Sequence, residues 1–209
     1  MTKRAEKAAV KAKRILTVAR AAWFEAIDLC SCIEMLEASN EPDVIASINN
    51  AKAADALDLI QKALLGRLVV GVTGALAPRR DPGDFHLRVG MDLIREEVPR
   101  QTILLKGGAL KLADIETAER RWAECLDYEA REHLVIYRNK VVAHLSELPA
   151  DMKDPIISEL FTLARMIAAV AEALAHGTGI AGVSLESQVS IFGGRARAFW
   201  KKWKLADTP

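Results

Sequence analysis

The chain has 209 residues, 51% of them hydrophobic and 27% charged, with 29 basic against 28 acidic side chains. That length suits one domain with a sizeable core, and the composition excludes a disordered chain, which would be apolar-poor and strongly charged. Three cysteines exclude a disulfide scaffold, and a formal net charge of +1 excludes a uniformly basic nucleic-acid coat while leaving room for local basic patches.

Alanine-rich composition and apolar spacing predict an all-α fold. The first predicted helix covers residues 3–38, with Ile15, Val18, Ala22, Ala26, Leu29, Ile33 and Leu36 along one face, and stops at Ser39-Asn40-Glu41-Pro42. A second is expected over 42–75, opened by Pro42 and striped by Leu57, Ile60, Leu64 and Leu68. The Pro-Arg-Arg-Asp-Pro-Gly loop at 78–83 follows, then a short helix near 85–97 that Pro99 ends. Beyond Gly107-Gly108, a long helix is predicted over 112–142, with Ile115, Trp122, Leu126, Leu134 and Val141 inward and His133 read as structural on the same side. Leu160, Leu163, Ile167, Val170 and Leu174 mark a helix over 154–175. Gly177, Gly179 and Gly182 read as a flexible linker, before a terminal helix over 187–202. The expected organisation is an N-terminal basic helix packing on the bundle (1–41), a helical core (42–176), and a Gly-rich linker with a basic C-terminal helix (177–209).

Residues 1–20 are basic but lead into no uninterrupted apolar stretch of the signal-peptide kind. The segment 160–175 carries Arg165 and Glu172 and is too short to span a bilayer. These features lead to the expectation of a cytoplasmic protein without membrane contact. Charge is segregated along the chain. Lys3, Lys7, Lys11 and Arg14 share a helical stripe, and Arg195, Arg197, Lys201, Lys202 and Lys204 cluster beside Trp200 and Trp203. A basic arm with aromatics can track a phosphate backbone, and the alternative is a solvated terminus.

Two spellings of known sites fail on context. Gly177-Thr178-Gly179-Ile180-Ala181-Gly182 has the letters of a dinucleotide-binding loop, but a helix precedes it where the mechanism needs a strand. Cys30 and Cys32 stand two apart on a helix and diverge, with no histidine near to complete a zinc site, so they and Cys125 read as buried small residues. No metal or cofactor is expected.

The polar cluster Tyr137-Arg138-Asn139-Lys140-Val141-Val142-Ala143-His144-Leu145-Ser146 closes an otherwise apolar helix. An imidazole titrating near pH 6.5 can take the proton from a ribose 2′-hydroxyl. A permanently charged guanidinium can clamp phosphate oxygens as negative charge builds. Asn139 can bond the phosphate or orient the imidazole. Arg131, seven residues before Arg138, falls on the same helical face and suits a flanking phosphate. Lys140, Arg79 and Arg80 are weaker candidates for that role.

This stretch resembles the signature of the HEPN superfamily, an arginine followed by a polar residue and, after four to six residues in all, a histidine. Within it, Tyr-Arg-Asn-Lys followed by Ala-His is similar to the abortive-infection U type of HEPN-like domain. The spacing alone arises about once by chance in such a chain, and Arg79 and Arg80 also meet it against His86, in a loop that reads as a decoy. The asparagine, the Ala-His ending and the helix running into a turn set Arg138 and His144 apart.

The resemblance implies a HEPN-like bundle with additional N- and C-terminal helices, acting as a metal-independent endoribonuclease in a toxin–antitoxin or phage-defence setting. The implied catalytic residues are Arg138, Asn139 and His144, and the implied partners are an RNA substrate, a second copy of the chain and an antitoxin protein. Ser146 stands where nucleotidyltransferase-silenced relatives carry tyrosine, so that mode of control is not expected. Residues six apart on a straight helix lie about 120° off one face. Either the helix therefore breaks near Ala143, or two copies pool their motifs across a twofold axis. The alternative function is a non-catalytic HEPN-like module that binds a nucleotide, RNA or a protein through the same surface.

Overall fold

A computed structural model gives the fold and describes residues 3–78, 81, 84–96, 101, 111–139 and 157–203. Among the described residues there are eight helices and no strand: α1 (Lys3–Ser39), α2 (Pro42–Asn50), α3 (Ala54–Leu76), α4 (Leu87–Ile94), α5 (Leu112–Asp127), α6 (Ala130–Tyr137), α7 (Ile157–Gly177) and α8 (Leu185–Lys201). The all-α class is therefore as the apolar spacing predicts.

The bundle is organised around α1 and α7, which pack along one another, with α5 on α7 and with α3, α4 and α8 on α1. The stripe Ile15, Val18, Ala22, Ala26, Leu29, Ile33, Leu36 is wholly buried, as are Leu160, Leu163, Ile167, Val170 and Leu174 of α7. From α5 come Ile115, Ala118, Trp122 and Cys125, again at helical spacing. Burial pushes the Cys30 thiol up to about 11 and the Cys125 thiol up to about 12, so both stay protonated as small core residues.

Three local expectations are corrected. The helix predicted over 42–75 is two helices, because Lys52 takes a left-handed backbone (φ 55°) and reverses the chain between α2 and α3. Ala53 N donates to Ile48 O and Lys52 N to Asn49 O, the paired bonds of a left-handed helix end. No glycine marks this stop, so the sequence reads through it. The helix predicted over 112–142 is interrupted at Tyr128, whose extended backbone (ψ 119°) separates α5 from α6 while its ring packs against the main core. With the interruption His133 is exposed and Leu134 is buried, so His133 is not a core residue.

The glycine-rich stretch after α7 is an ordered turn instead of a flexible linker. Gly179 has φ 70°, with Ile180 N donating to Ala175 O at 2.8 Å and Gly179 N to His176 O at 3.1 Å. Gly177 packs so closely on α5 that a Cβ there would lie 3.1 Å from Ile115 N, and its carbonyl accepts a bond from Lys111 N at 2.8 Å. Glu172 Oε1 then accepts from Leu185 N, and the Ser184 hydroxyl from Ser187 N, to cap α8.

The basic tail helix is docked. Trp200 is buried with Ala38, Val44, Ile48 and Ala196 in a second small core, and its indole N–H donates to Met35 O at 3.1 Å. Among the described helices, α3 is long and apolar enough to cross a membrane by length and composition; its C-terminal half supplies Leu68, Val69, Val72 and Leu76 to the core.

Candidate functional site

The residues that matter here sit on α6 and on the two segments facing it. α6 is held to the bundle by Ala130 and Leu134, which are buried. Arg131, Val135 and Arg138 step by four and three, so they share a face about 90° round the helix from Ala130 and Leu134. The backbone continues past Tyr137 into a wider, π-type turn at Arg138 and Asn139. Such turns depart from the regular 100° phase and are frequent at functional sites.

Arg131, Arg138 and Asn139 line one cleft of about 780 Å³. Its facing wall is the end of α3, at Thr73, Gly74 and Leu76, and the segment carrying Asp84, His86 and Arg88. The Arg138 guanidinium donates to Asn139 Oδ1 at 2.9 Å, and both side chains are exposed. Asn139 is thereby an orienter of the arginine, leaving the other guanidinium N–H groups for an anion. Arg131 lies 3.4 Å from Glu132 Oε1, and Arg88 donates to Leu76 O at 3.2 Å with Asp92 Oδ2 4.0 Å from its Nε. Three guanidinium groups on two walls, against the carboxylates of Asp84 and Glu132 in the same lining, leave the cleft with a small positive excess, carried by Arg138, which is bonded to the amide of Asn139 and not to a carboxylate.

His86 is a cleft residue that sequence reasoning set aside. Its Nε2 stands 3.8 Å from Asp84 Oδ2, and its buried Nδ1 has no hydrogen-bond partner among the described residues. Burial lowers its pKa below the ordinary histidine value, with Asp84 opposing, so the ring is neutral at neutral pH. The loop is fixed from α1: Arg14 donates to Asp84 O at 2.6 Å and lies 5.7 Å over the Phe85 ring. Lys11 pairs with Glu96, so part of the N-terminal basic stripe ties α1 to the chain just after α4. The available signal for His86 was its spacing from Arg79 and Arg80; the proline-glycine context argued against it.

Of the other expected site residues, His144, Lys140, Arg79 and Arg80 lie outside the described residues. Arg131, Arg138 and Asn139 are described, and the structure brings them together. Among the described residues no three His, Cys, Asp or Glu side chains are grouped to hold a metal ion.

The family model HEPN_AbiU2, described as AbiU2, matches residues 13–177. The match begins within α1 and ends on the last residue of α7, so it takes in the cleft and leaves α8 beyond it. No curated protein and no solved structure matches the chain.

Proposed function

The chain belongs to the AbiU2 family of HEPN domains, a family of abortive infection, and from that premise we propose that it is a metal-independent endoribonuclease acting at the α6 cleft. The observation that carries the reading is the convergence of Arg131, Arg138 and Asn139 on one cleft, within the residues that the family model matches.

In the proposed reaction His144 takes the proton of a ribose 2′-hydroxyl, and the 2′-oxygen attacks the adjacent phosphorus. The P–O5′ bond breaks, the 5′-oxygen leaves with a proton from a general acid, and the products are a 2′,3′-cyclic phosphate and a 5′-hydroxyl end. Arg138 stabilises the pentacovalent phosphate, held in place by Asn139, and is worth roughly 100-fold or more in rate as a charge-stabilising donor. Arg131 binds a flanking phosphate. Lys140, Arg79 and Arg80 are proposed as further phosphate contacts.

The general acid is proposed to be His144 of a second copy, in a homodimer whose motif helices meet about a twofold axis. Residues six apart on a straight helix lie about 120° off one face, so without a break near Ala143 the side chains of Arg138 and His144 are brought together by pooling two motifs. An antitoxin protein and a cytoplasmic setting accompany this reading.

The test is incubation of total bacterial RNA with the full chain in excess EDTA. Wild type is expected to cut and leave cyclic phosphate ends, while His144→Ala and Arg138→Ala retain RNA affinity and lose cleavage. A folded wild-type protein that binds RNA without cutting it would favour the non-catalytic HEPN-like binding module instead.

A further inference from the structure

α8 lies beyond the segment that the family model matches, and the proposed reaction gives its outward side no task. Its inner side is fixed to the bundle by Leu185, Gly193, Ala196 and Trp200. Between Ser187 and Trp203 there are four basic residues and no acidic one. Arg197 leans towards α1, where it and Glu34 both approach Gly193. Arg195 and Lys202 are exposed and alternate with two rings: Phe192, Arg195, Phe199 and Lys202 follow one another at steps of three, four and three.

At 100° per residue, Phe192 and Phe199 fall within about 20° of one another, and so do Arg195 and Lys202, with about 60° between the two columns. Members of a column stand about 10.5 Å apart along the axis. The Arg195 guanidinium lies 5.6 Å over the Phe192 ring. Phe199 is about half exposed, and so is Trp203, which extends the ring column past the helix end and is tied there by its backbone N–H to Trp200 O.

This layout selects among partners. The outermost line of α8 holds Ile191 with the two cations, and the rings occupy the shoulder next to the bundle. A helix that enters a membrane surface needs the reverse, with its large apolar groups outermost and cations at the flanks. An acidic protein surface would pair with the cations and leave the rings unused. Single-stranded RNA presents both elements in parallel, phosphates along one side and flat bases along the other.

We infer that the outward side of α8 is an anchoring surface for single-stranded RNA, with phosphates on Arg195 and Lys202 and unstacked bases on Phe199 and Trp203. Stacking is open to every base, so the surface has no base preference. The inference rests on the RNA reading above and adds a second contact, distant from the cleft. Trp200 bonds α8 to Met35 of α1, while Arg14 of α1 grips the cleft loop, and the helix between those two residues is about 30 Å long. α8 therefore acts on the affinity for long strands and not on the chemistry.

The experiment follows the anisotropy of labelled polyuridylate of about 30 nucleotides, longer than one binding site, over a salt series, with the full chain carrying His144→Ala so that the strand stays whole. Arg195→Ser with Lys202→Ser removes two phosphate contacts and is expected to flatten the slope of log affinity against log salt by about 1.4. Lys62→Ser with Arg120→Ser, at exposed positions on α3 and α5, is expected to leave the slope unchanged. Phe199→Leu is expected to weaken binding about 10-fold at constant slope, the loss of one stacked base. All these side chains are exposed, and the melting temperature is expected to hold. In chains that keep His144, the Arg195 and Lys202 substitutions should lower kcat/KM on the long strand and spare a trinucleotide, which is too short to reach α8.

A slope that does not change, or that flattens equally with Lys62 and Arg120, overturns the inference, as does a Phe199→Leu chain that binds like its parent. Loss of binding to vesicles of equal phosphatidylserine and phosphatidylcholine in the α8 variants, with RNA binding intact, overturns it in favour of a membrane surface. RNA binding that depends on α8 in a chain that never cuts upholds the anchor and defeats the ribonuclease reading. Cleavage by wild type with RNA affinity indifferent to α8 does the reverse.

Discussion

In the proposed reaction, Arg138 and Asn139 act together at the level of single side chains. The amide oxygen of Asn139 holds one arm of the guanidinium, so the charge is oriented before any anion arrives, and orientation in advance is what lowers the cost of charge stabilisation. Arg138→Lys keeps the charge and loses the planar fork, and is expected to recover little of the cleavage lost in Arg138→Ala, read as single-turnover rates on one RNA. His86 supports a prediction about pH. Burial disfavours its charged form in the folded state, so the folded chain binds fewer protons than the unfolded chain below the ordinary value of about 6.5. Its contribution to stability is complete above that value and is lost as pH falls from there towards the lower folded pKa. Urea unfolding at pH 5.5 and 7.5 should show a drop in wild type that is smaller in His86→Asn. At this scale Arg131, Arg138 and Asn139 were legible in the sequence, because seven residues return to the same helical face. The presence of His86 opposite them was not, because its place depends on Arg14 from α1 gripping a loop 70 residues away.

At the level of elements, the informative positions are the breaks. Lys52 adopts a left-handed backbone without glycine's freedom, a conformation that costs an L-residue about 1–2 kcal/mol. Lys52→Gly is expected to stabilise the protein by about 1 kcal/mol after glycine's greater unfolded-state entropy is counted, measured by urea unfolding. Gly177 is the opposite case. Its lack of a side chain lets the end of α7 approach the backbone of Ile115, so Gly177→Ala is expected to cost about 1–3 kcal/mol as overpacking. The two interior breaks, at Lys52 and Tyr128, escaped sequence reading for one reason. Neither carries glycine or proline, and each is imposed by packing that a one-dimensional pattern does not contain. The break at Tyr128 sets α6 off from α5, and Arg131 and Arg138 then share a cleft with the end of α3.

For the whole molecule, the termini are part of the structure. α1 runs through the centre of the main core, and α8 closes a second core through Trp200. Trp200→Ala is expected to cost about 3–5 kcal/mol and to release α8, seen as an earlier unfolding step and faster amide exchange over α8. The outward side of α8 keeps Arg195, Arg197, Lys201 and Lys202 exposed beside Phe199 and Trp203. The proposed dimer makes a separate prediction: light scattering at micromolar concentration should give twice the chain mass, and a monomer would count against a composite cleft.

The all-α class, the buried faces of α1 and α7, and the resemblance to the HEPN domains that the family match bears out are all legible along the chain in one dimension. Those properties are periodic or local: an apolar stripe every three or four residues, or a short motif on one helix, is complete in one dimension. Where the helices break, which way α6 faces and what stands across from it follow from packing between distant segments. The cleft is built from α3, α6 and the loop of His86, and the pocket beside it from α1, α3 and α7 with the same loop. Their geometry depends on contacts between residues far apart in the chain, and no local spacing encodes the distance between two helices.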